Sequence, residues 1–164
     1  MNLNSPPITV LYICTHNRCR SILSEAITNH LSDGSIQAFS AGSQPAGQVH
    51  PLSLKYLEER GIATEDLKSQ SWDEFESIKP DIVITVCDSA AAEACPVWFG
   101  DTIKCHWGLK DPSKLSGPDE EIRAAFYECM ELIAGRVRAL IHLGLQGKAK
   151  AEQAKLINTL IQES

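Results

Sequence analysis

The chain has no apolar run that approaches the length of a membrane-spanning helix, and it has no excess of positive charge. Its formal net charge of -6 argues against general binding to nucleic acid or to an anionic membrane, since both attract basic proteins. Aromatic residues make up only 6% of the chain, and the scattered Trp72, Trp98 and Trp107 suggest no base-stacking surface. Residues 1–7 lack an export signal and are expected to be a flexible leader. We therefore expect a cytoplasmic protein that must capture any anion locally.

Cysteine is present, but it is too sparse for a disulfide scaffold in a chain of 164 residues. The cysteines are Cys14, Cys19, Cys87, Cys95, Cys105 and Cys129. In a reducing cytoplasm we expect thiols, some of them catalytic, whereas Cys105 and Cys129 fall on core-like positions and are predicted to be structural. The histidines lack metal-ligand spacing and are predicted to be surface or packing residues; they are His16, His30, His50, His106 and His142.

Short β-branched runs alternate with segments of helical periodicity, which is typical of a parallel sheet. Strands are predicted over 8–13, 36–40, 82–86 and 102–105. Helices are predicted over 21–31, 51–59, about 72–77 and 119–140. The length is that of one domain. The sequence therefore predicts a single α/β domain over residues 8–143, with a four-stranded parallel sheet flanked by helices.

The last part of the chain, residues 144–164, is predicted to be a helical extension. Gly144 and Gly147 interrupt the preceding pattern, and the segment 148–162 is polar with a narrow apolar stripe. The stripe consists of Leu156, Ile157, Leu160 and Ile161. Three arrangements are open, in which the extension folds back on the domain, pairs with a second copy or frays. We expect no catalytic role for it and a monomeric protein.

A thiol and a guanidinium flank the loop between the first predicted strand and helix, which reads Cys14-Thr15-His16-Asn17-Arg18-Cys19-Arg20-Ser21. Its N–H groups can curl around a tetrahedral oxyanion at the helix N-terminus, with Arg20 forking onto two oxygens. We expect residues 15–21 to bind the anion. The same positive field should lower the pKa of Cys14 from about 8.5 toward roughly 3.5–7.5 and make it a thiolate nucleophile. Ser21 can donate its hydroxyl to that thiolate.

Two alternatives apply to the cysteines of this loop. Cys14 and Cys19 can be buried small hydrophobes, or they can be two ligands of a zinc site. Zinc sites favour cysteine pairs about two to four residues apart, and Arg18 and Arg20 would place positive charge beside the cation. The sequence favours the nucleophile for Cys14 and a packing role for Cys19.

A second pair of cysteines, Cys87 and Cys95, flanks an alanine-rich segment that is predicted to be helical. Along a helix the two would be about 12 Å apart. A disulfide needs Cα atoms within roughly 7 Å, so a Cys87–Cys95 bond would require the segment to unwind. The plain alternative is a buried Cys87 at a strand end and a Cys95 that precedes a loop proline by chance. With Cys14 nearby in the inferred topology, a resolving thiol pair is favoured.

The third constellation is Asp111-Pro112, in the loop after the last predicted strand. Pro112 pushes Asp111 toward an extended conformation, which can hold its carboxyl over the anion site. A protonated Asp111 could then act as general acid for the oxygen that leaves when Cys14 attacks. An Asp-Pro turn without catalytic meaning is the common alternative.

Together these segments resemble the low-molecular-weight tyrosine phosphatase superfamily and, within it, the bacterial arsenate reductases built on that fold. The resemblance extends over about residues 8–143, and Cys14-x5-Arg20-Ser21, with Asn17 inside and Ser24-Glu25-Ala26 after it, is typical of the superfamily. More specific to the reductases are Ser40-Ala41-Gly42-Ser43 with Pro45 and Gly47, Val86-Cys87-Asp88 through Cys95-Pro96, and His106-Trp107-Gly108 through Asp111-Pro112. Tyrosine phosphatases of the superfamily usually carry aromatic residues after Asp-Pro, where Ser113 and Lys114 stand here.

The resemblance implies a reaction sequence. Cys14 would attack arsenate, held by Arg20 and the loop amides, while Asp111 protonates the departing oxygen. Cys87 would then attack Cys14, which releases arsenite and leaves a Cys14–Cys87 disulfide. Cys95 would attack Cys87 in turn, and the Cys87–Cys95 disulfide would be presented to thioredoxin.

The number of residues between Cys87 and Cys95 leaves the identity of the external reductant open. Cys87 and Cys95 enclose one residue more than the corresponding cysteines of the thioredoxin-linked members, and related enzymes use glutathione and glutaredoxin instead. The resemblance implies no bound cofactor in either case. Members of the thioredoxin type also bind potassium near the loop, and Asn17, Glu25, Ser40 and Asp73 could match that site.

Two other functions compete with arsenate reduction. A phosphatase acting on phosphate esters through a phosphocysteine needs only Cys14, Arg20 and Asp111. A non-enzymatic sensor would bind an oxyanion or metalloid through its cysteines, but the acidic charge disfavours a DNA-reading element.

Overall fold

The computed structural model describes residues 6–87 and 102–163. The strands of this part of the chain are β1 Ile8–Ile13, β2 Ile36–Ala41, β3 Ile82–Thr85 and β4 Ile103–His106. Its α-helices are α1 Arg20–Leu31, α2 Pro51–Glu59, α3 Asp119–His142 and α4 Lys150–Glu163. Two 3-10 helices, Trp72–Phe75 and Pro112–Lys114, complete the described elements. The predicted α/β class and four-stranded sheet are confirmed.

The sheet is parallel throughout, with the strand order β2-β1-β3-β4. Val10 of β1 pairs with Ala38 on one side and with Ile82 on the other. The chain leaves β1 for one neighbour and returns to the other, so the strand order reverses at the carboxyl end of β1. In open α/β sheets such a switch point forms a crevice in which ligands bind. The loop after β1 begins at this crevice.

Apolar packing on the sheet holds the strand ends in place. Leu11, Tyr12 and Ile84 are fully or almost fully buried, as expected for strands covered on both faces. Helix α1 packs against β2 and α3, and the apolar stripe of α3 includes the buried Phe126 and Ile133. None of the helices described here combines the length and the apolar composition that a membrane crossing requires.

The structure refines two of the predicted helices. The segment predicted over 72–77 is a 3-10 helix that spans Trp72–Phe75, and Ser71 caps it by accepting from the Asp73 N–H. The C-terminal helix begins at Lys150 and folds back on the domain, where it contacts α3 and β4. Its Ile157 is 2% exposed, and Gln153 Nε2 donates to the Leu145 carbonyl at 3.0 Å.

Candidate active site

The register of the sheet brings the predicted site segments to one edge. Ile13 pairs with Thr85, and the Val86 N–H donates to the Ile13 carbonyl at 2.9 Å. The Trp107 N–H donates to the Thr85 carbonyl at 2.8 Å. Cys14 therefore leaves the sheet beside the segment that follows β3, which in turn lies beside the segment that follows β4.

The loop after β1 turns its carbonyl groups toward a neighbouring segment that supplies N–H donors. Thr15 accepts from Gln44 at 2.9 Å, His16 from Ala46 at 2.9 Å and Arg18 from His50 at 3.0 Å. The N–H group of Thr15 donates to the sulfur of Cys14. Three carbonyl groups of the loop are thus occupied by the neighbouring segment, and binding of an oxyanion by the loop N–H groups stays a prediction.

Asn17 is the internal brace of this loop. It is fully buried and has a left-handed φ of 48°, which Asn tolerates better than most residues. Its Nδ2 donates to Ser21 Oγ at 2.9 Å, and its Oδ1 accepts the Gln70 N–H at 2.8 Å. Ser21 Oγ accepts from Asn17, and the predicted hydrogen bond from Ser21 to Cys14 is not among the contacts of the described residues.

Gly42 allows the chain after β2 to approach the loop closely. A Cβ at this position would lie 2.5 Å from the Thr15 carbonyl oxygen and 2.7 Å from that of Cys14. Real Cβ atoms do not approach backbone oxygens so closely, so only glycine fits here. The loop and the segment after β2 therefore depend on each other.

Cys14 and Cys87 lie side by side with buried thiols that are not joined in a disulfide. They are 7% and 3% exposed. The hydrogen bond with Cys87 raises the pKa of Cys14 above its ordinary value and burial raises it further, whereas Arg20 and the Thr15 N–H act in the opposite direction. The prediction of a lowered pKa for Cys14 is wrong in this arrangement, because the neighbouring thiol and the loss of water outweigh the positive field.

Arg20 links the loop to the segment after β4. Its Nη1 donates to the Leu109 carbonyl at 3.0 Å, and its Nη2 lies 3.5 Å from Asp111 Oδ2. The buried Nε has no hydrogen-bond partner among the described residues. An oxyanion that accepts from Nε would satisfy this donor.

Asp111 is also held in place through Oδ1, the carboxylate oxygen that does not face Arg20. Both the Ser113 N–H and the Ser113 hydroxyl donate to Asp111 Oδ1, at 2.9 and 2.6 Å. The same contact caps the 3-10 helix Pro112–Lys114. Asp111 therefore has the turn role of the plain alternative, and its Oδ2 lies beside Arg20. Its role as general acid stays a prediction.

The remaining described cysteines, Cys19, Cys105 and Cys129, are buried. Burial raises the pKa of Cys19 to about 11 and that of Cys129 to about 12, and burial is also the largest cause of the raised pKa of Cys105. Thiols of this kind pack as small hydrophobes. Cys95 lies outside the described residues.

The potassium candidates are only partly brought together. Ser40 Oγ donates to Glu25 Oε1 at 2.5 Å, and burial raises the pKa of Glu25 to about 7. Asn17 Oδ1 is occupied by the Gln70 N–H, and no described contact joins Asp73 to Glu25 or Ser40. Within the described residues no group of three or more His, Cys, Asp or Glu side chains is placed to hold a metal ion.

Several residues of the site had no individual signal in the sequence. Gln70 braces Asn17 and donates from Nε2 to the Ser40 carbonyl at 3.2 Å, and the Leu109 carbonyl positions Arg20. Any residue type can make a contact through its backbone, so such contacts cannot be predicted from residue identity. In the sequence, Gly42 is singled out only as part of the segment Ser40-Ala41-Gly42-Ser43, which resembles the arsenate reductases.

The fold and the site define a class of α/β protein in which a Cys-x5-Arg loop lies at the switch point of a parallel sheet. Residues 9–154 match the family described as low molecular weight phosphotyrosine protein phosphatase, and the chain belongs to this family.

Arsenate reductases are among its relatives within this fold. The arsenate reductase of Halalkalibacterium halodurans is 32% identical over 135 residues, which are 82% of this chain and 96% of that protein. A solved structure described as an arsenate reductase in the phosphate binding state has a TM-score of 0.68 at 28% identity, covering 82% of this chain and 97% of the other. A thioredoxin-dependent arsenate reductase of Corynebacterium glutamicum has a TM-score of 0.65 at 33% identity, covering 87% of this chain and 65% of that one. The resemblance predicted from the sequence is confirmed.

Proposed function

We propose that this protein reduces arsenate to arsenite, with Cys14 as the nucleophile and Cys87 as the second thiol. The observation that carries the proposal is that two buried thiols follow the neighbouring strands β1 and β3 beside Arg20. Cys87 Sγ lies 3.8 Å from Oγ1 of Thr15, the residue after Cys14. Hydrolysis of a phosphate ester needs one nucleophilic sulfur. Reduction of an oxyanion by two electrons, without an external thiol, needs a second sulfur of the protein near the first.

The geometry supports the following order of events. The loop N–H groups and Arg20 hold three oxygens of arsenate. Cys14, whose raised pKa keeps its thiol protonated, gives its proton to the bound arsenate as its sulfur attacks arsenic. Asp111 gives a proton to the oxygen that departs as water. Cys87 then attacks the Cys14 sulfur, the sulfur–arsenic bond breaks, and its electron pair stays on arsenic as arsenite leaves. One arsenate and two thiols thus give one arsenite, one disulfide and one water.

Regeneration of the reduced enzyme requires thiols other than Cys14 and Cys87. We assign Cys95 the attack on Cys87, which frees Cys14 and leaves a Cys87–Cys95 disulfide. A dithiol protein of the thioredoxin type, in the cytoplasm, would reduce that disulfide. The similarity to a thioredoxin-dependent reductase supports this choice, and the glutathione and glutaredoxin route is the competing outcome.

The first experiment mixes fully reduced protein with arsenate in the absence of any added thiol. Arsenite is quantified while disulfides are mapped by mass spectrometry. We expect stoichiometric arsenite and a Cys87–Cys95 disulfide. If arsenite forms only after glutathione is added, an external thiol releases arsenite from Cys14, and neither Cys87 nor Cys95 has the role proposed for it.

Two variants separate reduction from phosphatase chemistry. Cys14→Ser should abolish both activities, and Cys87→Ser should abolish reduction while leaving turnover of a phosphate ester. Cys129→Ser, a change at another buried thiol, is the matched control and should retain reduction. Arsenite formation by Cys14→Ser would refute the proposal.

A further inference from the structure

An apolar groove runs beside the site, between the 109–115 segment and α3. It encloses about 320 Å³, and its apolar lining includes Leu109, Pro112, Leu115, Ala125 and Leu132. We refer to it as the α3 groove. The mechanism above uses only Asp111, at its inner end.

The outer part of the α3 groove exposes large apolar side chains. Leu115 is 43% exposed and Leu132 is 46% exposed. Within the described residues only one other large hydrophobic side chain is comparably exposed, Ile78, which precedes β3 and so lies toward the opposite end of the sheet. Two exposed leucines at one groove indicate a surface that a partner covers.

The rim of the groove carries positive charge on an acidic protein. Lys110 and Lys114 are exposed there, whereas the chain as a whole has a formal net charge of -6. The lining also holds two acidic residues, Glu128 and Asp111, and Asp111 is paired with Arg20, so basic side chains outnumber acidic ones at this face. A partner with acidic residues around an apolar contact would be attracted to this face and repelled by most of the remaining surface.

The inner end of the groove lies beside the segment that carries Cys87. The Leu109 N–H donates to the Val86 carbonyl at 3.3 Å, so the lining begins beside the residue that precedes Cys87. Asp111, also in the lining, lies 3.5 Å from Arg20. A protein seated in the groove would therefore have its contact surface next to Cys87.

We infer that the α3 groove is the docking surface for the protein that reduces the enzyme, a dithiol protein whose thiol pair is surrounded by an apolar surface with acidic residues at its border. This inference rests on the proposed function. One partner thiolate attacks a sulfur of the Cys87–Cys95 disulfide and the other sulfur leaves as a thiolate. The second partner thiol then attacks the mixed disulfide, so that two electrons and two protons pass to this protein and the partner becomes oxidised.

The test starts from protein oxidised chemically to the Cys87–Cys95 disulfide and follows its reduction by increasing concentrations of thioredoxin. Leu132→Asp and Lys114→Glu should each raise the half-saturating concentration about tenfold. Reduction by tris(2-carboxyethyl)phosphine, which needs no docking, should be unchanged and also reports that the variants are folded. The Lys114→Glu variant should lose much of the salt dependence of the thioredoxin reaction.

Ile78→Asp is the matched control, since it places the same charge on an equally exposed apolar residue away from the groove. Unchanged saturation in both groove variants, an equal shift in Ile78→Asp, or oxidised protein that thioredoxin does not reduce would each overturn the docking surface. Failure of the unaltered protein to reduce arsenate would refute the proposed function instead, and it is distinguishable because the docking test contains no arsenate.

Discussion

Among single residues, Cys87 sets the protonation of Cys14. The hydrogen bond with Cys87 is the largest cause of the raised pKa of Cys14, ahead of burial. Cys87→Ala should therefore lower that pKa, because Arg20 and the Thr15 N–H then oppose burial alone. The rate of Cys14 alkylation by iodoacetamide, followed by peptide mass spectrometry, should reach half its maximum at a lower pH than in the unaltered protein.

Cys105→Ala is the control for this pH profile, since Cys105 is also 7% exposed but is not among the groups that shift Cys14. Its midpoint should equal that of the unaltered protein. A midpoint in Cys87→Ala that is equal or higher would contradict the assignment.

Gly42 is a second single residue on which the site depends. Gly42→Ala forces a methyl group against two backbone oxygens of the loop, so we expect a loss of about 1–3 kcal/mol in the free energy of unfolding. Arsenate reduction should fall as well, because the loop must shift. Urea denaturation and the initial rate check the two effects.

The chain offers a matched glycine for comparison. A Cβ at Gly135, in the middle of α3, meets no atom within 4 Å. Gly135→Ala should raise stability by about 0.5–1 kcal/mol, since alanine loses less conformational freedom in a helix. Equal effects at Gly42 and Gly135 would refute the packing argument.

At the scale of elements, the buried side chains of Ile157 and Gln153 attach α4 to the domain. Ile157→Ala should destabilise the protein by about 2 kcal/mol or more, because it leaves a cavity between α4 and the elements it contacts. Activity of the folded fraction should be retained, since the described contacts of α4 involve none of the site residues. Leu132→Ala, at an exposed position, is the control and should change stability by less than about 0.5 kcal/mol.

For the whole molecule, an oxyanion bound at the loop should stabilise the fold. Phosphate at a hundred times its dissociation constant should add about 2.7 kcal/mol to the free energy of unfolding and raise the melting temperature. Arg20→Ala should remove most of this increment, because it deletes the buried Nε and both Nη donors. Arg138→Ala changes an exposed arginine and should keep it. An equal increment in Arg20→Ala would show that phosphate binds elsewhere.

The element order and the identity of the first strand followed from local pattern. A β-branched run bounded by turn residues indicates a buried strand, and the predicted 8–13 is β1 as observed. The predicted start of α1 at Ser21 and its observed start at Arg20 differ by one residue, within the uncertainty of helix ends. Periodicity is a property of neighbouring residues, so it is readable without the fold.

Some of the chemistry of the site can also be predicted from local sequence, whereas the rest depends on the fold. A Cys-x5-Arg spacing between a strand and a helix predicts an oxyanion loop, since the chemistry depends on residue types within one turn of chain. The raised pKa of Cys14, the seat of Arg20 on the Leu109 carbonyl and the brace from Gln70 all join segments far apart in sequence. Such contacts arise only from the strand register and the burial that folding imposes. The sequence motif therefore predicts the positive field that lowers the pKa of Cys14. Only the fold places Cys87 and the burial that raise this pKa beyond the effect of that field.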